Sequence, residues 1–543
     1  MRRALRVSAA AGILALASVP RVAHATSVEE FPDNGSEQEG RGGAWVARAS
    51  DPLATFYNPA GLAGQPTRLT LQANISEQYT CFKRVQATGD TTVDGFSGNY
   101  PRVCQTPSFF PDPQLAFTFK VNERLGLGIA ILGPSAVGSA SWPEFAGNGN
   151  PSPQRYMLIS TDSVILTPTI GVGWEAVDGL RLGASFIFGT APSIDFVNAA
   201  PAINGPPAGS GQTVNASTND IRNELKAKEL FFPGFILGAI WSPTSTLDVA
   251  GWYKWTSDVN ATGDVTTAAN YFTNAVYKGN LAQVTYGDTA EPECHTPPPQ
   301  GPATCGSGNN AKIKVPIPME AKLGVRYHKP RSDVAYDEHR RDPMAQDVFD
   351  VEADFTWANN SAFNAIQLRF PGDANGNGTI PANPGIPAST IPVNADVTHD
   401  FRDVVGVRLG GDYNILPDQL TIRAGAFFET QAANSVYQNI DFDGADRFGI
   451  AAGGQYRIHF GSENQHALDL MAGYGHVFFG TLNNDNPNAQ GLPALTGISC
   501  STGQTPSGPC SDGGQRYRTP WPINLGTITS SINVINVGAS YRF

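Results

Sequence analysis

The stretch PQLAFTFKVNERLGLGIAI, residues 113–131, alternates apolar residues with polar or small ones twice over. Leu115, Phe117, Phe119 and Val121 alternate with Gln114, Ala116, Thr118 and Lys120. After Asn122-Glu123-Arg124, Leu125, Leu127, Ile129 and Ile131 alternate with Gly126, Gly128 and Ala130. Successive side chains of a strand point to opposite faces, so a period of two describes a strand with one apolar face. Three polar residues between two such runs describe a tight turn. The stretch therefore reads as an antiparallel hairpin.

The same period recurs from residue 67 to the end. Ala321, Leu323, Val325 and Tyr327 stand opposite Lys322, Gly324, Arg326 and His328, and Phe448, Ile450, Ala452, Tyr456, Ile458 and Phe460 share one parity. Short turns fall at Asn122-Glu123-Arg124, Val177-Asp178-Gly179, Ser242-Pro243-Thr244, Leu416-Pro417-Asp418 and Ser462-Glu463-Asn464. Long polar connections lie between them, near 81–112, 134–153, 191–227, 261–312, 358–398 and 481–524. A water-soluble sandwich has no reason to alternate short and long connections, whereas a transmembrane barrel does so. The expected fold is all-β, a transmembrane antiparallel barrel of about fourteen strands.

Composition agrees. The chain has 543 residues, 15% of them charged, with 58 glycines and 41 prolines, which favours many turns. A formal charge of −12 argues against a nucleic-acid partner. Arg2, Arg3 and Arg6, the small apolar run Ser8–Val19 and Ala23-His24-Ala25 form a secretory signal peptide, residues 1–25. No later stretch of 18 apolar residues exists, which excludes a helical span and leaves strands of about 9–11 residues open.

Cys81, Cys104, Cys294, Cys305, Cys500 and Cys510 fall into three sequence-local pairs in polar segments without a CxxC motif. In an exported chain this spacing points to three loop-closing disulfides, 81–104, 294–305 and 500–510, rather than to zinc. Asp373-Ala374-Asn375-Gly376-Asn377-Gly378 matches the start of a calcium loop, but Pro384 stands where the bidentate Glu belongs, so a solvated loop is expected. His295, His328, His339, His399, His459, His466 and His476 show no metal-ligand spacing and read as loop or lumen residues, and Asp441 and Asp443 read as solvated loop charges. No nucleophile elbow or nucleotide fingerprint occurs; neither an enzyme nor a cofactor or metal is expected.

Residues 26–64 lack strand alternation and carry Arg41-Gly42-Gly43-Ala44-Trp45, Asp51-Pro52-Leu53-Ala54 and Asn58-Pro59-Ala60-Gly61-Leu62-Ala63. An Asn side chain bonds backbone two residues on, Pro fixes φ, and Gly permits close approach, so the last motif builds a rigid compact turn. Gly42 to Ala63 resembles the N-terminal hatch of the FadL/TodX family of outer-membrane transporters. Pro113 to Gly189 has the cadence of that family too, through Gly126-Leu127-Gly128, Gly133-Pro134, Trp142, Gln154-Arg155-Tyr156, Pro168 and Leu182-Gly183-Ala184.

The resemblance implies a signal peptide (1–25), a hatch (26–64) and a barrel (65–543). It implies passive transport of hydrophobic molecules, long-chain fatty acids or hydrocarbons, in the outer membrane of a Gram-negative bacterium. Phe56, Tyr57 and Arg155 are then candidate ligand contacts. Gly126, Gly128, Gly133 and Pro134 are candidates for a bend that opens the wall sideways. Tyr541 and Phe543 resemble the terminal signal read by the barrel-assembly machinery. Glu37, Glu39, Arg41, Arg48 and Asp51 are expected to pair with lumen charges such as Lys322 and Arg326. Outer-membrane lipid, lipopolysaccharide and a monomeric state are also expected. The alternatives are a porin for polar solutes, or a surface adhesin using the long loops.

Overall fold

The computed structural model describes residues 35–543 apart from 89–94, 108, 134–138, 148, 202–219, 270–271, 273–282, 287–293, 296–310, 338, 370–376, 381–388, 393, 462–464 and 492–521. Fourteen antiparallel strands close into a barrel. They are β1 (Arg68–Arg84), β2 (Phe109–Lys120), β3 (Leu125–Ile131), β4 (Thr169–Val177), β5 (Leu180–Pro201), β6 (Asp220–Thr244), β7 (Leu247–Thr256), β8 (Glu320–Pro330), β9 (Asp347–Ala358), β10 (Val404–Leu416), β11 (Leu420–Glu429), β12 (Arg447–Phe460), β13 (His466–Phe479) and β14 (Gly526–Arg542). Closure runs between β1 and β14, from Arg68↔Arg542 to Arg84↔Gly526. Closure removes the free edges of an open sheet, which suits strands where no water can satisfy their backbone groups.

Parity decides which side chains meet lipid. Leu115, Phe119, Leu127, Ile129, Leu323, Val325, Tyr327, Phe448, Ile450, Ile535 and Val537 are exposed on the outer wall. Gln114, Thr118, Lys322, Arg326, Asn536 and Ser540, of the opposite parity, are buried inside. No helix is long and apolar enough to cross a membrane, among the described residues.

Connections differ from expectation at 261–312 and 358–398, which carry paired strands (Val259–Ala269 with Ala311–Val315, and Ala365–Arg369 with Asn394–Thr398), and at three further places. The segment 191–227 is not one long loop, because β5 runs on to Pro201 and β6 begins at Asp220. The expected turn Ser242–Thr244 comes two residues later, since β6 continues to Thr244. In the first of these the outward face is charged instead of apolar, with Arg222, Glu224, Lys226 and Lys228 alternating with Leu225 and Ala227, so the stretch reads as polar although its period is two. The third difference is at the short-turn end. Residues 331–346, between β8 and β9, form a longer connection with a helical turn, Pro343–Gln346. The turn expected at Ser462–Asn464 lies outside the described residues.

The expected disulfide Cys81–Cys104 is present, closing 23 residues. It sits in paired strands rather than in a loop, with Cys81 in β1 directly opposite Cys104 of the short strand Arg102–Cys104. Cys305, Cys500 and Cys510 lie outside the described residues, as does the side chain of Cys294.

Candidate functional site

The N-terminal segment occupies the short-turn half of the lumen, and every residue from Gly35 to Gln65 is buried. Helical turns at Ser36–Gly40, Ala54–Tyr57 and Pro59–Leu62 hold it compact. Asn58 caps the last of these: its side chain accepts from Ala60 N at 3.2 Å and donates to Val46 O at 2.8 Å. The wall makes room with glycine. A Cβ at Gly126 would overlap Leu62 O, at Gly173 Pro59 O, at Gly183 the Pro59–Ala60 peptide, and at Gly238 the Asn58 side chain.

Charge fixes the opposite side. Arg41 donates to Asp350 at 2.6 Å, Asp412 at 2.7 Å and Glu352 at 3.1 Å, all fully desolvated. Arg48 shares Asp350 and Asp412. The backbone N–H groups of Trp45 and Ala47 donate to Asp354 and Glu352 at 2.9 and 2.6 Å. The expected pairing is thus corrected. The arginines of the segment meet wall carboxylates, while Arg326 is held by Asp248, Asp347 and Asp350 of the wall itself. Lys322 lies 5.7 Å from the Tyr57 ring. Glu37 meets Arg68 at 3.7 Å and Arg48 at 4.0 Å.

The long-loop half of the lumen is different in chemistry. Phe82, Trp142, Leu158, Ile194, Leu225, Val259, Ile313, Phe363, Ile366 and Phe401 belong to one continuous buried apolar cluster. Within it lies a cavity of about 100 Å³, lined by Ile165, Ile194, Phe196, Val259, Ile313, Val315, Ile366 and Phe442, with Thr161, Ser163 and Asp441. A larger concavity of about 660 Å³ is lined by Leu323, Val325, Phe355, Val407, Leu409, Phe428 and Phe448. Those side chains are exposed on the outer wall, so this concavity faces lipid.

Asp441 was expected in a solvated loop; its side chain is 4% exposed. His399 Nε2 lies 3.0 Å from Asp441 Oδ1, and His399 Nδ1 lies 3.0 Å from Val397 O. Phe363, Phe401 and Phe442 surround the imidazole edge-on. Asp443 is buried likewise, against Ser530. Both acids sit among polar residues in sequence, and only the folded-back connection 430–446 brings them under the aromatic cluster.

Among the described residues the wall beside the cavity lacks one stretch of ladder, although Ser160–Asp162 pair with the short strand Ser139–Ser141. Strand β3 is bonded on both sides, from Lys120↔Gly126 to Leu115↔Ile131 on β2 and from Leu125↔Trp174 to Ala130↔Thr169 on β4. Gly126 and Gly128 therefore lie in an unbroken ladder, and their lack of side chains accommodates the N-terminal segment instead. The change comes beyond Ile131. Thr167 N donates to Leu132 O at 2.7 Å, and there the pairing stops. Past this point Phe109–Gln114 of β2 pair with β1. Ser163, Val164 and Leu166, in the strand Ser160–Leu166, pair with β5. No ladder joins these two edges among the described residues. Gly133 packs against Ile165 O and the Asp112 carboxylate at this place, and Pro134 lies outside the described residues.

Of the other candidate contacts, Phe56 and Tyr57 are buried at the junction of the two halves. Phe56 O accepts from Trp252 Nε1 at 2.9 Å, and Lys254 Nζ stands 5.3 Å from the Phe56 ring. Arg155 is not a solvated loop arginine: it is fully buried and donates to Asp220 at 2.8 Å and to the Tyr156 hydroxyl at 2.7 Å. Asp373–Gly376 of the calcium-like stretch lie outside the described residues. Tyr541 and Phe543 meet edge-on with ring centres 4.8 Å apart, at the short-turn rim.

The sequence profile of the outer membrane protein transport protein family (OMPP1/FadL/TodX) matches residues 14–504. No curated protein matches the sequence significantly. Among solved structures, a Pseudomonas aeruginosa FadL homologue shares 18% identity, covering 95% of this chain and 99% of its own, with a TM-score of 0.62. The Pseudomonas putida toluene transporter TodX shares 14% identity over 95% and 99% of the two chains, TM-score 0.53. The CymD monoaromatic hydrocarbon channel shares 12% over 94% and 97%, TM-score 0.53. These likenesses are of fold.

Proposed function

Since the chain belongs to the OMPP1/FadL/TodX family of outer membrane transport proteins, we propose that it carries small hydrophobic molecules passively across the outer membrane of a Gram-negative bacterium. The observation that carries this reading is the apolar cavity, lined in part by the strand Ser160–Leu166, whose ladder does not continue onto β2 among the described residues. Apolar solutes gain about 25 cal/mol per Å² on burial, so a dry chamber collects what a water-filled pore does not. Residues 26–64 act as the hatch. The solute leaves sideways between β2 and the strand Ser160–Leu166, into lipid, because the hatch blocks the straight path.

No Lys or Arg lines the cavity, which favours an uncharged solute over a fatty-acid carboxylate. An engineered apolar cavity of about 150 Å³ binds benzene, so the smaller space here, about 100 Å³, suits a short alkyl group or a solute no larger than one ring. The proposal includes a monomer, inserted by the barrel-assembly machinery reading Tyr541 and Phe543, among outer-membrane lipid and lipopolysaccharide. The competing reading, a porin for polar solutes, has the buried run Gly35–Gln65 against it. Proteoliposomes separate the two. Ethylbenzene should equilibrate faster than in protein-free vesicles while sucrose stays out. Rapid sucrose entry with no effect on ethylbenzene would reverse the assignment.

A further inference from the structure

We infer that the outer wall docks the phosphate groups of an outer-leaflet glycolipid on a row of cations, Lys228, Lys312 and Arg369, just beyond its aromatic band. The inference takes only the outer-membrane setting from the proposed function and is independent of the solute carried. The row runs straight across neighbouring strands. Lys228 stands opposite Thr262, Thr262 opposite Lys312, and Lys312 opposite Arg369. Residues of the other parity on these strands, Leu225, Ala227, Val259, Ala261, Ile313 and Leu368, belong to the buried apolar cluster. The row therefore points outward, where Lys228 and Lys312 are exposed.

Height sets the surroundings of the row. On β6, Lys228 is followed by exposed Leu230 and Phe231 and then by exposed Phe235. Phe231 packs on Phe188 and Phe235 on Trp255, with ring centres 4.6 and 5.6 Å apart. Aromatic girdles mark the membrane–water interfaces of such a barrel, so lipid headgroups lie at the level of the row. The wall does not balance all the charge there. Lys226 meets Glu224 at 2.6 Å, Lys314 meets Asp258 at 2.9 Å, and Arg369 gives Nη1 to Asp396 and to Leu368 O. Lys228 and Lys312 have no hydrogen bond or carboxylate partner among the described residues. Like charges directly opposite one another, as Lys312 and Arg369 are, destabilise a sheet, and a phosphate held between them removes that repulsion. Thr262 sets Lys228 two strand spacings from Lys312, roughly 10 Å, which two flexible lysine side chains can close around one phosphate. The pattern recurs at Lys83 and Arg102, both exposed and directly opposite.

The test is native mass spectrometry of the purified barrel in an uncharged detergent, titrated with bisphosphorylated lipid A and with the same lipid stripped of its phosphates. The unaltered protein should prefer the phosphorylated lipid. Each cation beside an anionic headgroup is worth roughly a fivefold gain in association, so Lys228→Gln with Lys312→Gln should weaken its binding roughly twentyfold. Lys120→Gln with Lys329→Gln removes the same charge at the short-turn rim and should leave binding unchanged. Equal binding of the two lipids, or equal losses in the two variants, overturns the inference. So does inorganic phosphate that displaces the lipid at equal concentration, which would make the row a site for free anions. A barrel dimer that the Lys228 and Lys312 substitutions dissociate would assign the row to acids of a second copy, and overturns it too. None of these outcomes alters entry of ethylbenzene into proteoliposomes, which tests the transport reading separately.

Discussion

At Gly183 the difference between a hydrogen and a methyl group decides whether the N-terminal segment fits. A Cβ there would overlap the Pro59–Ala60 peptide, which cannot retreat because Asn58 ties it to Val46. Gly183→Val should leave the strand pairing of β5 intact and displace the segment. Trypsin should then cut at Arg41 or Arg48 in the folded barrel, and the unaltered barrel should resist. Arg41 tests the opposite contact. Arg41→Met leaves Asp350, Glu352 and Asp412 facing one another with one cation fewer. Breaking a buried ion cluster from one side costs about 3–5 kcal/mol, so the segment should loosen and the temperature at which the barrel loses its heat-modifiable gel mobility should fall. An unchanged transition in both variants would show that neither contact holds the segment.

Among the short-turn connections, 331–346 was not announced by alternation. It lies at the short-turn end, and Arg341 donates to the carbonyls of Ala47 and Arg48, so it braces the N-terminal segment from below. Asp342 anchors it to Arg457 at 3.2 Å and to Arg542 at 2.6 Å. Burial alone would raise the Asp342 carboxyl, but the guanidinium groups of Arg457 and Arg542 outweigh burial and hold it well below the usual carboxylate range. A depressed carboxylate stabilises the fold above its unfolded pKa, about 3.9, and loses that contribution only as pH falls through the lower folded value. The brace should therefore survive acidification to about pH 4, while Asp342→Asn should release it at every pH; hydrogen exchange of residues 331–346 reads both. Strands with lipid on one face were legible because lipid imposes a period of two, as at 113–131 and 535–543. The buried segment Gly35–Gln65 carries a motif legible in the sequence, and its partners were not legible, since nothing in the sequence links Arg41 to Asp350. The cavity was not legible either. Above the lipid the outer face of a strand meets water, so Ile313 and Ile366 alternate with Lys312, Lys314, Gln367 and Arg369 in runs of only five residues, too short to stand out from a polar loop, and Asp441 looks like any loop acid.

On the scale of the whole molecule, a barrel of fourteen strands exceeds the eight-strand size that interior side chains alone can fill. Removing residues 26–64 behind an intact signal peptide should leave closure between β1 and β14 unaffected, because those strands pair along their full length without the segment. The truncated barrel should insert and conduct ions steadily in a planar bilayer; conductance no higher than that of the complete chain would mean that these residues do not plug it. The ion cluster that holds them has one more consequence, and it concerns time. Arg41 is 309 residues from Asp350 and 371 from Asp412. Closing so long a loop costs little more at equilibrium than closing a shorter one, because the entropy grows only with the logarithm of length. The order of events is another matter. The segment lies N-terminal to the strands that carry its docking partners. During biogenesis it must wait, unfolded and positively charged at Arg41 and Arg48, until the far strands arrive. Proteolysis during slowed assembly should find it the last region to become resistant, later than the hairpin of β2 and β3 beside it in sequence.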